Sequence, residues 1–293
     1  MRDILRSLRP HQWVKNLFVL APLVFAQEAG DAQPLLRASA AFVLFCLISG
    51  AVYLLNDLTD AASDRLHPVK RHRPIAAGRL SERRARTVLA VLLLVALGGA
   101  VAVNVSLLAV VASYFCINIA YSLRFKHTPF LDVLFIAAGF ILRLVGGAVA
   151  IDVPLSAWLT ACTFLLAAFL ALGKRKHELL ALGADGSPQR RVLERYDLAH
   201  VRPAMTLLAA ATLGCYAAYT LLGWTQAGFS PRDLVWTLPM VVFGLWRFHR
   251  LTERVDQGVS PTDLMLRDPL FILNLALWGL VILAIIYRGD PAP

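Results

Sequence analysis

Long apolar segments alternate with short polar connections along the whole chain. Windows of about 20 residues that are apolar enough to cross a bilayer recur throughout. From them we predict nine transmembrane helices, near residues 13–30, 36–56, 87–103, 105–122, 129–150, 155–173, 203–223, 233–249 and 269–287. The polar stretches are too short to be domains, so the pattern predicts an all-α, polytopic membrane protein with one domain over residues 1–293. Its cytoplasmic loops are expected near residues 57–86, 123–128, 174–202 and 250–268.

Composition and charge support this interpretation. Hydrophobic residues make up 58% of the 293 residues and charged residues only 16%, which is too apolar for a soluble globular domain. The net charge is +10, and most of the 29 Lys and Arg residues fall on one predicted side of the membrane. Because positive charge is retained inside, we expect a cytoplasmic N-terminus and active-site face in the inner or plasma membrane. This charge suits an anionic substrate or anionic lipid headgroups, although setting topology alone requires no ligand.

Four oxygen-bearing side chains lie close together at the end of the second predicted helix. They are Asn56, Asp57, Asp60 and Asp64. At about 100° per residue, all four fall on one face of a helix. Neighbouring carboxylates repel one another unless a cation lies among them, and hard oxygen ligands suit Mg²⁺ that carries a phosphorylated substrate. The pattern predicts a magnesium site; the alternative is a set of helix-terminal carboxylates paired with loop arginines.

Basic and polar side chains flank this acidic face. Lys70 and Arg73 are candidates for binding diphosphate oxygens that a metal leaves uncovered, because Lys and Arg form charge-assisted hydrogen bonds with phosphate. At the cytoplasmic end of the first predicted span, polar residues recur at helical spacing, namely Gln12, Lys15 and Asn16. This N-terminal set is consistent both with a ligand contact and with an ordinary interfacial anchor.

Further candidates lie near the middle of the chain. The turn between the fourth and fifth predicted spans is flanked by Tyr121, Arg124, Lys126 and Asp132. Arg143 is predicted to lie inside the membrane, where an ionisable side chain is a functional candidate and a buried carboxylate partner is the alternative. Lys174 and Lys176 belong to a basic cluster after the sixth span, which is consistent with anion binding or with a plain stop-transfer sequence.

With these residues in view, the chain resembles the UbiA superfamily of intramembrane prenyltransferases over nearly its whole length. The shared signature is Asn56-Asp57-x-x-Asp60-x-x-x-Asp64, followed by His67-Pro68 and the stretch from Lys70 to Gly78. Within the superfamily, the details are similar to those of decaprenyl-phosphate phosphoribosyltransferases. The motifs that carry this similarity are Arg9-Pro-x-Gln-Trp-x-Lys-Asn16, Tyr121-Ser122 with Lys126-His127, Gly139-Phe140-x-x-Arg143, Lys174-Arg-Lys-His-Glu-Leu179 and Pro261-Thr-Asp-Leu264 before Asp268.

The resemblance implies a UbiA-like bundle of nine helices around a central cavity. The donor would be 5-phosphoribosyl 1-diphosphate, the cofactor Mg²⁺ and the acceptor a polyprenyl phosphate held in the membrane. Asp57, Asp60 and Asp64 would act through the metal, and Lys126 would supply further positive charge. The product, a polyprenylphosphoryl 5-phosphoribose, feeds cell-wall arabinan synthesis in this family. No nucleic-acid partner is expected, and a homo-oligomer is left open.

Two other interpretations remain at the level of sequence. An aromatic prenyltransferase, for example one that acts on 4-hydroxybenzoate, would use the same acidic face on a prenyl diphosphate. Those enzymes carry a second Asp-x-x-x-Asp pair near the fifth span, whereas here Asp132 is followed at that spacing by Ile136. A membrane transporter or lipid-binding scaffold fits less well, because transporters place charges at the midplane and this chain places them at one membrane face.

Overall fold

The computed structural model describes residues 1–125, 128–185, 193–223, 229–254 and 260–288. Within those ranges the regular structure is helical and contains no β-strand. The α-helices are α1 (Arg2–Leu8), α2 (Ala21–Phe25), α3 (Ala32–Thr59), α4 (Ala61–Leu66), α5 (Glu82–Val103), α6 (Val105–Leu123), α7 (Leu131–Ile151), α8 (Ala157–Asp185), α9 (Leu198–Leu222), α10 (Leu238–Leu251), α11 (Pro261–Arg267) and α12 (Pro269–Arg288). The predicted all-α class is confirmed.

Seven helices in the described ranges are long and apolar enough to cross a membrane. They are α3, α5, α6, α7, α8, α9 and α12. Each coincides with a predicted span, and several extend beyond it: α3, for example, covers Ala32–Thr59, whereas the sequence predicted 36–56. The protein is therefore a multi-pass membrane protein, as predicted.

The predicted first and eighth spans are wound partly as 3₁₀ helix. Pro10–Leu20 is a 3₁₀ helix that continues into α2, and Pro231–Thr237 is one that continues into α10. A 3₁₀ helix rises about 2.0 Å per residue and an α-helix about 1.5 Å, so the two segments are about 30 and about 35 Å long. The hydrocarbon core of a bilayer is about 30 Å thick. Either segment is long enough for one crossing, and the total of nine spans stays a prediction.

The chain divides into two compact units, and the first comprises residues 1–23, 29–123 and 142–154. Its core forms around α3. The ring of Phe45 occupies the space that a side chain at Gly146 would need, and Leu44 does the same beside Gly99. Small residues let membrane helices approach closely. As a result, α3 packs tightly on α5 and on the second half of α7.

The second unit comprises residues 24–28, 124–141 and 155–293. Its core joins α8, α9 and α10. Phe169 of α8 and Phe248 of α10 pack with ring centroids 5.3 Å apart, and Phe248 also fills the space next to Gly173. Each unit thus has its own apolar core, and the single domain predicted from sequence stays a prediction.

The connection from α3 to α5 folds back on itself. It contains α4 and a one-turn 3₁₀ helix, Lys70–His72. Arg79 then donates to the backbone carbonyl of His72 at 2.7 Å. Gly78 adopts φ of 73°, a left-handed conformation that glycine reaches without steric penalty. This connection holds the basic residues that follow the acidic face.

Candidate functional site

The acidic face is built from two helices rather than one. The sequence predicted one continuous helix over Asn56 to Asp64, but α3 ends at Thr59 and α4 begins at Ala61. Asp60 lies between them with φ −93° and ψ 1°, outside the helical region. The backbone hydrogen bonds nevertheless keep helical spacing, because Asp60 N–H bonds to the Asn56 carbonyl and Asp64 N–H to the Asp60 carbonyl. The predicted juxtaposition therefore survives the break.

Asp57 and Asp64 converge on the same guanidinium group. Nη1 of Arg73 lies 3.2 Å from Oδ1 of Asp57 and 2.6 Å from Oδ2 of Asp64. Both carboxylates are almost fully buried, whereas the Arg73 side chain is 27% exposed. The structure thus brings together three predicted site residues: two acids of the acidic face and one of the two predicted diphosphate-binding cations.

Arg9 is a second cation at the acidic face. Its Nη2 lies 2.5 Å from Oδ1 of Asp57, and its guanidinium carbon lies 5.0 Å from the ring centroid of Tyr53. The Arg9 backbone has φ of 51°, an uncommon conformation for a residue with a Cβ, and it directly precedes Pro10, which normally favours extended conformations. Such a backbone costs about 1–3 kcal/mol and persists only where its surroundings hold it. The ion pair and the ring stacking are two such constraints.

The side-chain oxygens of the acidic face are chemically suited to binding a divalent cation. In the described ranges, no three His, Cys, Asp or Glu side chains form a ready-made metal site. However, two buried carboxylates, those of Asp57 and Asp64, both contact one positively charged nitrogen of Arg73. The two carboxylates are therefore close enough to bind a single cation together. The nearby Asn56 amide and the half-buried Asp60 carboxylate add oxygen donors of the kind that Mg²⁺ prefers.

The remaining residues of this connection are placed as follows. Lys70 is half-buried in the short 3₁₀ helix, and its backbone N–H lies 3.3 Å from Nδ1 of His67. Arg71 and His72 are exposed, and Arg71 Nε donates to His72 Nε2 at 3.4 Å. Arg73, also part of the basic stretch, contacts two carboxylates of the acidic face, Asp57 and Asp64.

Arg143 lies in a buried network in the first unit. Its Nε donates to Oδ1 of Asn16 at 2.7 Å, and its Nη2 donates to the hydroxyl of Tyr114 at 2.7 Å. The guanidinium carbon also lies 4.8 Å from the Tyr114 ring centroid. Ser49 completes the network, with its hydroxyl 3.3 Å from Asn16 Oδ1 and 3.4 Å from the Tyr114 hydroxyl. Arg143 is only 6% exposed, so its position is closely fixed.

The other predicted substrate-binding residues of the first unit lie on the 3₁₀ helix Pro10–Leu20 and on α6. Lys15 donates to Oε1 of Gln12 at 2.6 Å, and both side chains are half-buried in the 3₁₀ helix Pro10–Leu20. Asn16 is fully buried and joins the Arg143 network. Tyr121 is half-buried in the last turn of α6. Lys126 lies outside the described residues.

The second unit contains a separate buried charged cluster on α8. Arg175 donates to Asp132 at 2.5 Å and also pairs with Glu178, while Tyr196 donates to the other oxygen of Asp132 at 2.6 Å. Asp132, a sequence-predicted candidate in the first turn of α7, therefore takes part in a network of buried side chains.

Of the two lysines predicted in this region, Lys174 is half-buried and Lys176 is fully buried. Nζ of Lys176 lies 3.2 Å from Oε1 of Glu253 and 3.4 Å from Nε2 of His249. Part of this basic cluster thus contacts acids of the protein itself, a partnership that the sequence pattern did not indicate.

Two groups outside the spans have displaced pKa values. Burial, and then the hydrogen bond to Asp132, raise the pKa of the Tyr196 hydroxyl above its ordinary value, so Tyr196 remains a donor. The Arg247 guanidinium bonds both oxygens of Asp268 at 3.1 and 2.6 Å and lowers the pKa of that carboxyl below its ordinary value. Asp268 is therefore ionised at neutral pH and anchors the start of α12 to α10.

Sequence reasoning missed the roles of Tyr53 and Tyr114. Ser49, Tyr53 and Asp57 are spaced four residues apart on α3, so one helix face carries polar groups from the Arg143 network to the acidic face. That spacing was a usable signal. The contact of Tyr114 with Arg143 joins distant positions on α6 and α7, and no local pattern marks it.

The fold and the charged cluster define the class of protein. The chain is multi-pass and all-α, and its acids and arginines gather at one end of the long apolar helix α3. Ionisable side chains at such a position mark a candidate functional site of a membrane protein. The sequence pattern of the UbiA prenyltransferase family matches residues 17–275, and the chain belongs to this family. It is accordingly an enzyme, a transferase, and the transporter and scaffold interpretation is set aside.

Relatives and a solved structure agree with this assignment. The chain is 32% identical to decaprenyl-phosphate phosphoribosyltransferase of Mycolicibacterium smegmatis, over 97% of this chain and 92% of the relative. It is 34% identical to the protein of the same name from Mycobacterium tuberculosis, over 94% of this chain and 91% of the relative. A UbiA homologue from Archaeoglobus fulgidus bound to GPP and Mg²⁺ superimposes with a TM-score of 0.72 at 21% identity, covering 97% of this chain and 99% of that one.

Proposed function

We propose that this protein transfers 5-phosphoribose from 5-phosphoribosyl 1-diphosphate to a polyprenyl phosphate and releases diphosphate. The observation that carries the proposal is its identity of 32–34%, over nearly the full length, to proteins named decaprenyl-phosphate phosphoribosyltransferase. By this proposal the enzyme acts in a plasma membrane with its charged face toward the cytoplasm. Its product would enter cell-wall arabinan synthesis.

Asn56, Asp57, Asp60 and Asp64 would hold Mg²⁺, which the structurally similar archaeal protein also binds. When bound, Mg²⁺ supplies positive charge that stabilises a departing diphosphate. The side chains of the acidic face orient the donor, and Lys70 and Arg73 bind the diphosphate oxygens through charge-assisted hydrogen bonds. The partial exposure of Arg73, beside two buried carboxylates, suits a residue that contacts both the site and an incoming ligand.

In the reaction, the bond from the anomeric carbon to the diphosphate oxygen breaks, and an oxygen of the acceptor phosphate forms the new bond to that carbon. The acceptor is already anionic near neutral pH, so no strong general base is required. Positioning of the acceptor phosphate and of the donor's 5-phosphate is then the main task of the protein. We assign it to Gln12, Lys15, Asn16, Tyr121, Lys126, Arg143, Lys174 and Lys176.

A donor assay tests the proposal. Purified protein is incubated with Mg²⁺, phosphoribosyl diphosphate and a polyprenyl phosphate, and diphosphate release is measured with and without the lipid. We expect release that depends on the lipid. No turnover here, together with turnover of a prenyl diphosphate and 4-hydroxybenzoate, would instead establish the aromatic prenyltransferase.

The role of the acidic face is tested by charge removal. Asp60→Asn and Asp64→Asn keep the size of the side chain but remove the anionic ligand, so each should reduce turnover by at least about 100-fold while the protein still folds. Asp3→Asn is the control, because Asp3 is an acid of α1 that pairs with Arg79 of the α3–α5 connection. Near-normal activity of either variant would exclude metal ligation by that residue. Size-exclusion profiles and thermal unfolding verify the fold.

A further inference from the structure

One carboxylate oxygen at the acidic face is shared by two arginines. Oδ1 of Asp57 accepts from Arg9 at 2.5 Å and lies 3.2 Å from Nη1 of Arg73. The Asp57 side chain is 2% exposed, whereas both arginine side chains are about one-quarter exposed. A divalent cation that uses this oxygen must displace positive charge from it, and the arginines, not the carboxylate, have room to move.

The two arginines differ in what retains them. Arg73 contacts a second acid, Asp64, at 2.6 Å, so it keeps an anionic partner if it leaves Asp57. Arg9 instead has its guanidinium 5.0 Å from the ring centroid of Tyr53. An aromatic face attracts a guanidinium without saturating its hydrogen-bond donors. Once displaced from Asp57, Arg9 is therefore held next to the acidic face with N–H groups available.

The backbone of Arg9 points to the same conclusion. A residue with a Cβ in the left-handed region, directly before proline, is disfavoured both by its own sterics and by those of the proline ring. Arg9 lies between α1 and the 3₁₀ helix Pro10–Leu20, and in this conformation its side chain contacts Tyr53 and Asp57 of α3. Strained conformations of this kind concentrate at ligand-binding sites.

We propose that Arg9 is a donor-binding residue that changes partner: it pairs with Asp57 as observed here, and it binds the diphosphate of the donor when a divalent cation takes over Asp57. Guanidinium groups suit this task because their planar donors match phosphate oxygens bidentately. The inference rests on the proposed function insofar as the donor is a diphosphate ester. It does not depend on whether that ester carries phosphoribose or a prenyl chain.

The experiment measures two affinities on the full-length protein in detergent or nanodiscs. Mn²⁺ is the metal probe, followed by paramagnetic resonance or calorimetry, and inorganic diphosphate at saturating Mn²⁺ is the ligand probe. In Arg9→Ala, we expect Mn²⁺ alone to bind about two- to fivefold more tightly, because a competing cation is gone. We expect diphosphate to bind about 10- to 100-fold more weakly, because a charged hydrogen-bonding group is lost. Arg9→Lys should recover part of the diphosphate affinity.

Arg6→Ala is the matched control, since it removes the same charge from the exposed face of α1. It should leave both affinities within about twofold. Tighter Mn²⁺ binding in Arg9→Ala, with unchanged diphosphate affinity, would mean that Arg9 is only a counter-ion of Asp57 and would overturn the proposal. Weaker Mn²⁺ binding in Arg9→Ala, or a loss of folding that Arg9→Lys also shows, would assign Arg9 to structural support and overturn it equally. Failure of the donor assay alone, with these affinities as expected, would reject phosphoribose as the group transferred and leave the role of Arg9 intact.

Discussion

At the scale of single residues, Arg143 shows how a buried cation is oriented by neutral groups. Tyr114 contacts the guanidinium twice, with its hydroxyl at 2.7 Å and with its ring face, whose centroid lies 4.8 Å from Cζ. Asn16 fixes Nε at 2.7 Å. These contacts restrict rotation of the guanidinium in its plane and out of it. Precise placement of a cation matters most when it must meet a phosphate at one position.

We predict that Tyr114→Phe raises KM for polyprenyl phosphate about tenfold with little change in kcat, because the ring remains but one bond to a charged donor is lost. Tyr114→Leu removes ring and hydroxyl and should have the larger effect. Steady-state kinetics with varied lipid measure both. Cys116→Ala, an exposed position on the same helix, serves as the control. An unchanged KM in both Tyr114 variants would contradict a positioning role.

The residue scale also shows the limit of prediction from sequence. Asp57 and Asp64 could be placed together because helical periodicity relates positions seven residues apart. The pairing of Arg9 with Asp57, or of Tyr114 with Arg143, depends on packing between segments that are far apart in sequence, and periodicity contains no information on it. For the same reason the partners of Lys176 were not foreseen.

At the scale of elements, close helix packing in the first unit depends on glycine. A Cβ built on Gly147 of α7 would lie 1.9 Å from the backbone oxygen of Val19 and 3.2 Å from Pro22. Backbone atoms cannot yield as the end of a side chain can. The 3₁₀ segment that precedes α2 is therefore seated directly against α7 at this glycine, and no larger residue fits.

We predict that Gly147→Ala destabilises the protein by about 1–3 kcal/mol or more, through forced displacement of Val19. Gly98→Ala is the control, because its Cβ would meet nothing within 4 Å and Ala favours a helix; it should be neutral or stabilising by up to about 1 kcal/mol. Thermal unfolding in detergent, monitored by tryptophan fluorescence, measures the difference. Equal stability of the two variants would mean that α7 and the 3₁₀ segment can move apart at little cost.

Element boundaries were predicted well where long apolar runs determine them, as for α12, which covers Pro269–Arg288 against a prediction of 269–287. The helix type was not predicted at Pro10–Leu20, because apolar content is the same for an α-helix and a 3₁₀ helix. The break at Asp60 was also missed, since Asp57 to Asp64 retain helical spacing across it.

At the scale of the whole molecule, the number of crossings determines which face each loop reaches. Seven helices in the described ranges meet the requirements of length and hydropathy. The two 3₁₀-containing segments decide between seven, eight and nine crossings. Seven and nine are both odd, so the locations of the two termini alone do not distinguish these two counts.

We predict that Arg6→Cys and Arg254→Cys are cytoplasmic and that Asp31→Cys and Ser230→Cys are external. Arg6 and Asp31 lie on either side of the first 3₁₀-containing segment, and Ser230 and Arg254 lie on either side of the second. In a background without the four native cysteines, a membrane-impermeant maleimide added to intact cells should label only the external pair. Permeabilised cells, in which all four positions should react, provide the control. Identical labelling of Arg6→Cys and Asp31→Cys would show that the first segment does not cross.

The 3₁₀ winding of Pro10–Leu20 has a consequence for how its polar side chains are arrayed. With three residues per turn, positions three apart are eclipsed, so Gln12, Lys15 and Phe18 form a straight row parallel to the axis, with neighbours about 6 Å apart. The 2.6 Å contact of Lys15 with Gln12 follows from this alignment. Inserting or deleting a single amino acid here would turn part of the row by a third of a revolution, so a change of length should misalign the side chains on either side of the change.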